Sequence, residues 1–169
     1  MITVDYVRTM AGYNAWQNGL VLEAAEAVGE AARRAERGAF FGSIHKTLCH
    51  LLWADQLWLH RFAGTPPPAV PDILGSVGLC ATWEELFAER RRFDRVIRQW
   101  AEGLDPLWLE GGLTWHSGAI GREVARPKAL LAVHLFNHQT HHRGQVHAML
   151  TAAGARTGVS DLPFMPEDR

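Results

Sequence analysis

The stretch His134 to Leu150, HLFNHQTHHRGQVHAML, holds five of the chain's nine histidines and dictates much of what the fold has to do. In a helix turning about 100° per residue, His134, His138 and His142 make one stripe, with His141 and Gln145 beside it. Two imidazoles four residues apart can share an ion, but a pair is an incomplete site, so a third donor must come from elsewhere in the chain. The histidine helix therefore needs a packing partner that carries another ligand. His134 with His138 and His138 with His142 fit this spacing equally.

Three further stretches have helical periodicity. From about Thr3 to Gly29, Val4, Val7, Met10, Ala11, Trp16, Leu20, Leu22 and Ala25 recur every three or four residues, and Thr3 and Asp5 offer capping oxygens. Glu30 to Gly38 either continues this helix or makes a solvated connection. Ser43 caps a second helix that runs to about Phe62, with Leu48, Leu51, Leu52, Leu59 and Phe62 on its buried side. His50 shares a mostly apolar or small stripe with Thr47, Ala54, Leu57 and Trp58 and so points inward. The breaker cluster at 64–72 begins a loop that reaches Leu79. Thr82 and Glu85 then form a capping box for a third helix ending near Ala101. Its run Glu89 to Arg95 reads as a solvated face rather than a nucleic-acid patch.

Gly103 to Arg126 lacks helical period, and Leu113 to Ser117 with Arg122 to Val124 fit a β-hairpin. Pro127 suits the first turn of the fourth, histidine-bearing helix, which stops near Ala153 before Gly154. The tail to Arg169 is expected to be extended. These elements predict an all-α four-helix bundle with a short β-hairpin between helices 3 and 4, in a single domain spanning residues 1–169.

Composition narrows the partners. Against 18 acidic residues stand 17 Lys and Arg, a formal charge of −1, which gives no basis for binding nucleic acid or an anionic membrane surface. Two cysteines are too few for a disulfide framework and fit a reducing compartment. With no run long enough to span a membrane, a cytoplasmic protein acting on a small molecule is expected.

In a bundle core, inward side chains from facing helices build metal sites. Neutral imidazole suits Zn²⁺ and Ni²⁺ first and Mn²⁺ or Fe²⁺ next, and three protein ligands leave positions open for water or substrate. A lone buried histidine is more often bonded to a carbonyl, but several uncompensated imidazoles in one core are costly, which favours a divalent metal. His45, His60 and His147 fall on other faces and read as surface or packing residues. Cys49 and His50 point about 100° apart and make no nucleophile and base pair. Neither Ser43 nor Ser117 has a nucleophile-elbow context, no phosphate-binding glycine loop occurs, and no catalytic residue is assigned.

Tyr13-Asn-Ala-Trp16, Ser43-Ile-His-Lys-Thr-Leu-Cys-His-Leu-Leu-Trp-Ala-Asp55 and His134-Leu-Phe-Asn-His-Gln-Thr-His-His-Arg-Gly-Gln145 resemble the DinB/YfiT-like family of metalloenzymes. The resemblance implies an up-down-down-up four-helix bundle. It also implies a divalent metal on one histidine of the second helix and two of the fourth, which by motif position are His50, His138 and His142. His134, His141 and Gln145 then become candidates to orient those ligands. For activity the resemblance implies transfer of a low-molecular-weight thiol to a small electrophile, with metal-dependent hydrolysis or a non-catalytic, metal-binding stress-response role as alternatives. It further implies a homodimer.

Overall fold

A computed structural model describes residues 1–118 and 120–167. It is mostly helical, with one two-stranded antiparallel sheet. Helix α1, Val4–Ala27, starts where Thr3 Oγ1 accepts from the Tyr6 amide at 3.3 Å. The chain then turns through Gly29, whose φ of 79° only glycine adopts without strain, into the short α2, Gly29–Arg34. The segment after α1 is thus a separate short helix and a largely exposed connection, not a continuation of α1. Arg33 of α2 is buried, donates to the carbonyls of Ala25 and Glu26 at the end of α1, and lies over the Trp83 ring.

Helix α3, Ile44–Ala63, is capped by Ser43 and ends at Gly64 in a left-handed conformation. The loop that follows contains one helical turn, α4, Ile73–Ser76, in which Asp72 Oδ1 accepts from the Gly75 amide. The capping box of Thr82 and Glu85 opens α5, Trp83–Glu102. A further short helix, α6, Pro106–Glu110, precedes the hairpin of β1, Gly112–Ser117, and β2, Arg122–Pro127. Its register runs from Gly112 opposite Pro127 to Ser117 opposite Arg122, so β2 is three residues longer than expected and Pro127 ends a strand instead of entering a helix. Helix α7, Lys128–Ala152, carries the histidines. The tail includes a 3₁₀ turn at Leu162–Phe164. Within the expected hairpin turn, Ala119 lies outside the described residues, as do Asp168 and Arg169 of the tail.

Helix α1 packs against α5 and α7, and α3 packs against the same two helices. Leu22, Leu52, Leu59, Leu86, Ile97, Leu135 and Phe136 fill the interior between them, each about 1% exposed or less. Among the described residues no helix is long and apolar enough to cross a membrane.

A polar layer crosses this apolar core and involves all four long helices. Arg90 of α5 donates to Asp55 of α3 and pairs with Asp94 one turn along α5, both at 2.7 Å. Asn18 of α1 donates to Asp94 at 2.9 Å. Arg143 of α7 donates to Asn14 of α1 and to Gln139 of its own helix. Two cations and two anions are buried here, and the pairing of Arg90 with Asp55 and Asp94 offsets part of the cost of burying them. Arg90 and Asp94 therefore correct the reading of 89–95 as a solvated face, although Arg91, Arg92 and Arg95 are exposed.

Candidate metal centre

The two ends of the predicted site reach one place from α3 and α7. One ring nitrogen from each of His50, His138 and His142 lies within 4.8 Å of the other two. His50 Nε2 is 3.3 Å from His138 Nε2, although 88 residues separate them in sequence. This separation suits two nitrogens sharing one ion at about 2.0–2.1 Å each in tetrahedral geometry.

The neighbours of His50 and His142 determine which ring nitrogen carries the proton. Ser76 Oγ donates to the Ile73 carbonyl, so it accepts from His50 Nδ1 at 2.9 Å. Gln145 Oε1 can only accept, and it lies 2.8 Å from His142 Nδ1. The Gln145 amide nitrogen in turn donates to His141 Nε2 at 3.4 Å. Both Nδ1 atoms are thus protonated, which leaves the Nε2 lone pairs of His50 and His142 unprotonated. Converging lone pairs in a buried place repel each other, and a cation between them removes that repulsion.

Burial keeps these imidazoles neutral. His50 is 4% exposed and His142 7% exposed, while His138 is half-buried. Burial, then the nearby His142, pushes His50 down to about 4. Burial and the surrounding histidines push His138 down to about 3. His142 is also lowered by burial, against the Gln145 hydrogen bond, which raises it. Rings that stay neutral at physiological pH have the form a metal needs.

Aromatic walls enclose the cluster. Phe41 stacks on the His50 ring at 4.0 Å and Trp53 stacks near it at 5.8 Å. The helix that displays His50 begins three residues after Phe41, so the cap at Ser43 fixes both wall and ring. Farther along the α7 stripe, His134 is exposed, packs edge-on against Trp58 and stays out of the three-nitrogen set. Trp58 also meets Trp115 of β1, so the hairpin closes over this flank.

Of the residues expected to support the ligands, Gln145 touches His142 directly, while the exposed His141 touches it through Gln145 and a ring contact. Three other histidines have ordinary roles. His45 is buried and donates from Nε2 to the Cys80 carbonyl, His60 bonds to the Thr65 carbonyl, and His147 meets Thr157. Sequence reasoning missed Ser76, which sits in a segment read as loop. The Asp72-Ile-Leu-Gly75 cap was the available signal. It also missed the buried polar layer, whose trace is three pairs at i, i+4: Asn14 and Asn18, Arg90 and Asp94, Gln139 and Arg143.

The comparisons agree with these motifs. The model of the DinB family matches residues 1–169. Protein DinB of Bacillus subtilis (strain 168) is 25% identical over 167 residues, which span 93% of this chain and 91% of that protein. No solved structure matches. With the family pattern matched end to end and its histidines brought to one point, the chain belongs to the DinB family.

Proposed function

We propose that this protein is a cytoplasmic, divalent-metal-dependent enzyme in which His50, His138 and His142 hold the ion. Its reaction in this reading is transfer of a low-molecular-weight thiol to a small electrophile. The observation that carries the metal is the set of three ring nitrogens brought together from His50, His138 and His142, with Nε2 of His50 and His142 left free to ligate by Ser76 and Gln145. Zn²⁺ or Ni²⁺ suits an all-imidazole set best, ahead of Mn²⁺ or Fe²⁺. The family resemblance supports the thiol, a single domain of the up-down-down-up four-helix type, and a homodimer.

A divalent ion bound there supplies Lewis acidity, which draws the proton from a thiol or a water at neutral pH. The protein's own groups do the rest. Ser76 and Gln145 hold His50 and His142 in their ligating tautomers. Phe41 and Trp53 exclude water from the His50 ring. Trp58 and the exposed His134 form the flank a small substrate meets on its way to His138.

Among the described residues the donor set has three members, which favours an open, catalytic site over a closed structural one. The test begins with protein purified without an affinity tag and offered Zn²⁺, Ni²⁺, Mn²⁺ and Fe²⁺. Stoichiometric metal by elemental analysis is expected, and none bound would sink the proposal. Loaded protein is then given cysteine and 1-chloro-2,4-dinitrobenzene. Metal-dependent conjugation supports thiol transfer, whereas ester hydrolysis without conjugation supports a hydrolase instead. Unfolding on chelation without either activity supports a structural metal.

A further inference from the structure

The chain has two cysteines, 31 residues apart, and the fold puts them together. Cys49 lies on α3 and Cys80 in the loop just before the cap of α5. The Cys49 thiol donates to the Cys80 carbonyl at 3.7 Å. His45, one turn before Cys49, donates to the same carbonyl at 3.0 Å and holds the Cys80 backbone against α3. Both thiols are free.

Their access differs. Cys49 has no exposed surface, whereas Cys80 lines a cavity of 380 Å³ together with Gln56, Leu79, Glu89 and Phe93. A small molecule entering that cavity meets Cys80, whose carbonyl is contacted by the buried Cys49 thiol. This arrangement of one approachable thiol backed by a second, buried one is the one that turns oxidation into a disulfide instead of a higher oxide.

We infer that Cys49 and Cys80 form a peroxide-reactive pair that closes to an intramolecular disulfide, with a small neutral hydroperoxide, hydrogen peroxide in the simplest case, as oxidant. The Cys80 sulfur attacks one peroxide oxygen. The S–O bond forms, the O–O bond breaks, and the departing hydroxide leaves as water with the thiol proton. The Cys49 sulfur then displaces the hydroxyl from Cys80, forming the S–S bond and releasing a second water with the Cys49 proton. Two thiols are oxidised by two electrons, and one peroxide is reduced to two waters. The cross-link spans the segment that delivers both His50, next to Cys49, and Ser76, four residues before Cys80. It is independent of whether a metal binds there.

The test treats the purified full chain with hydrogen peroxide, quenches it with catalase, and counts thiols under denaturing conditions. Free thiol is expected to fall by about tenfold and to return on reduction. Peptide mapping without reductant is expected to yield the Cys49 peptide joined to the Cys80 peptide. Methionine oxidation adds oxygen elsewhere and moves neither readout. A folded Cys80→Ser chain is expected to keep the Cys49 thiol unreacted, and a Cys49→Ser chain to carry Cys80 as a sulfenic or sulfinic acid. Three results would overturn the inference: both thiols surviving in the unmodified chain, oxygen added to Cys80 with Cys49 still free, or a disulfide found only between separate chains.

Discussion

Ser76 accepts a hydrogen bond from His50 Nδ1 at 2.9 Å, and its own proton goes to the Ile73 carbonyl. A one-turn helix in a proline-rich loop therefore decides which nitrogen of a core histidine faces α7. Replacing Ser76 by Ala removes the acceptor but leaves the ring in place. Metal affinity is expected to fall about 10–100-fold with the fold retained. Competition against a chelating dye measures it, and an unchanged affinity would remove Ser76 from the site.

His134 and His138 are one turn apart on α7, yet only His138 belongs to the three-nitrogen set. A His138→Ala chain should lose stoichiometric metal while keeping its helical circular dichroism. A His134→Ala chain should retain metal with less than about a tenfold loss of affinity. Elemental analysis after dialysis separates the two. Equal losses would mean that His134 is a ligand.

The metal-free chain should lose stability in acid, beyond what its carboxylates explain. In the folded protein His50 and His138 are held down to about 4 and about 3, whereas unfolded histidines take up protons near about 6.5. Between those values the unfolded chain binds more protons, so stability falls as pH falls. Urea midpoints measured from pH 7 to pH 4 should drop more steeply for the wild-type chain than for a His50→Gln/His138→Gln variant. Parallel curves would contradict the neutral, buried state of the two rings.

Asp55 is fully buried and accepts from Arg90. An Asp55→Ala change leaves the guanidinium paired with Asp94 alone, in a layer with one cation in excess. A loss of about 3–5 kcal/mol in urea denaturation is expected. On the exposed side of α5, the helix of Arg90, Arg95→Ala should stay within about 0.5 kcal/mol.

The long helices were legible because each repeats its apolar residues at the helical period and begins or ends on a residue with a clear physical role. Thr3, Ser43, the Thr82 and Glu85 box, and Gly64 all act in the structure as their chemistry suggests. Helices α4 and α6, of four and five residues, are too short to show a period. The hairpin could be read from its composition, but its length could not, since the added pairs at Ala125, Arg126 and Pro127 depend on β1. In the site, His50 stood out as a polar residue on an apolar stripe. The choice between two histidine pairs on α7 needed the family likeness, because spacing is the same for both. Arg90 and Asp94 looked like surface charges because their partners, Asp55 and Asn18, are far away in sequence.

Helix α7 displays two adjacent stripes, each with a four-residue step. His138 and His142 face the imidazole cluster, while Gln139 and Arg143 face the polar layer. A slip of one residue turns the helix by about 100° and would swing a guanidinium toward the imidazoles, away from the two buried carboxylates. Wrong alignments of this helix are thus penalised twice, by a cation that loses Asn14 and by a polar layer left with two anions to one cation. The histidine helix carries its own check against misassembly, and a single-residue insertion or deletion within 139–142 should cost the chain its native state even though no apolar side chain is lost.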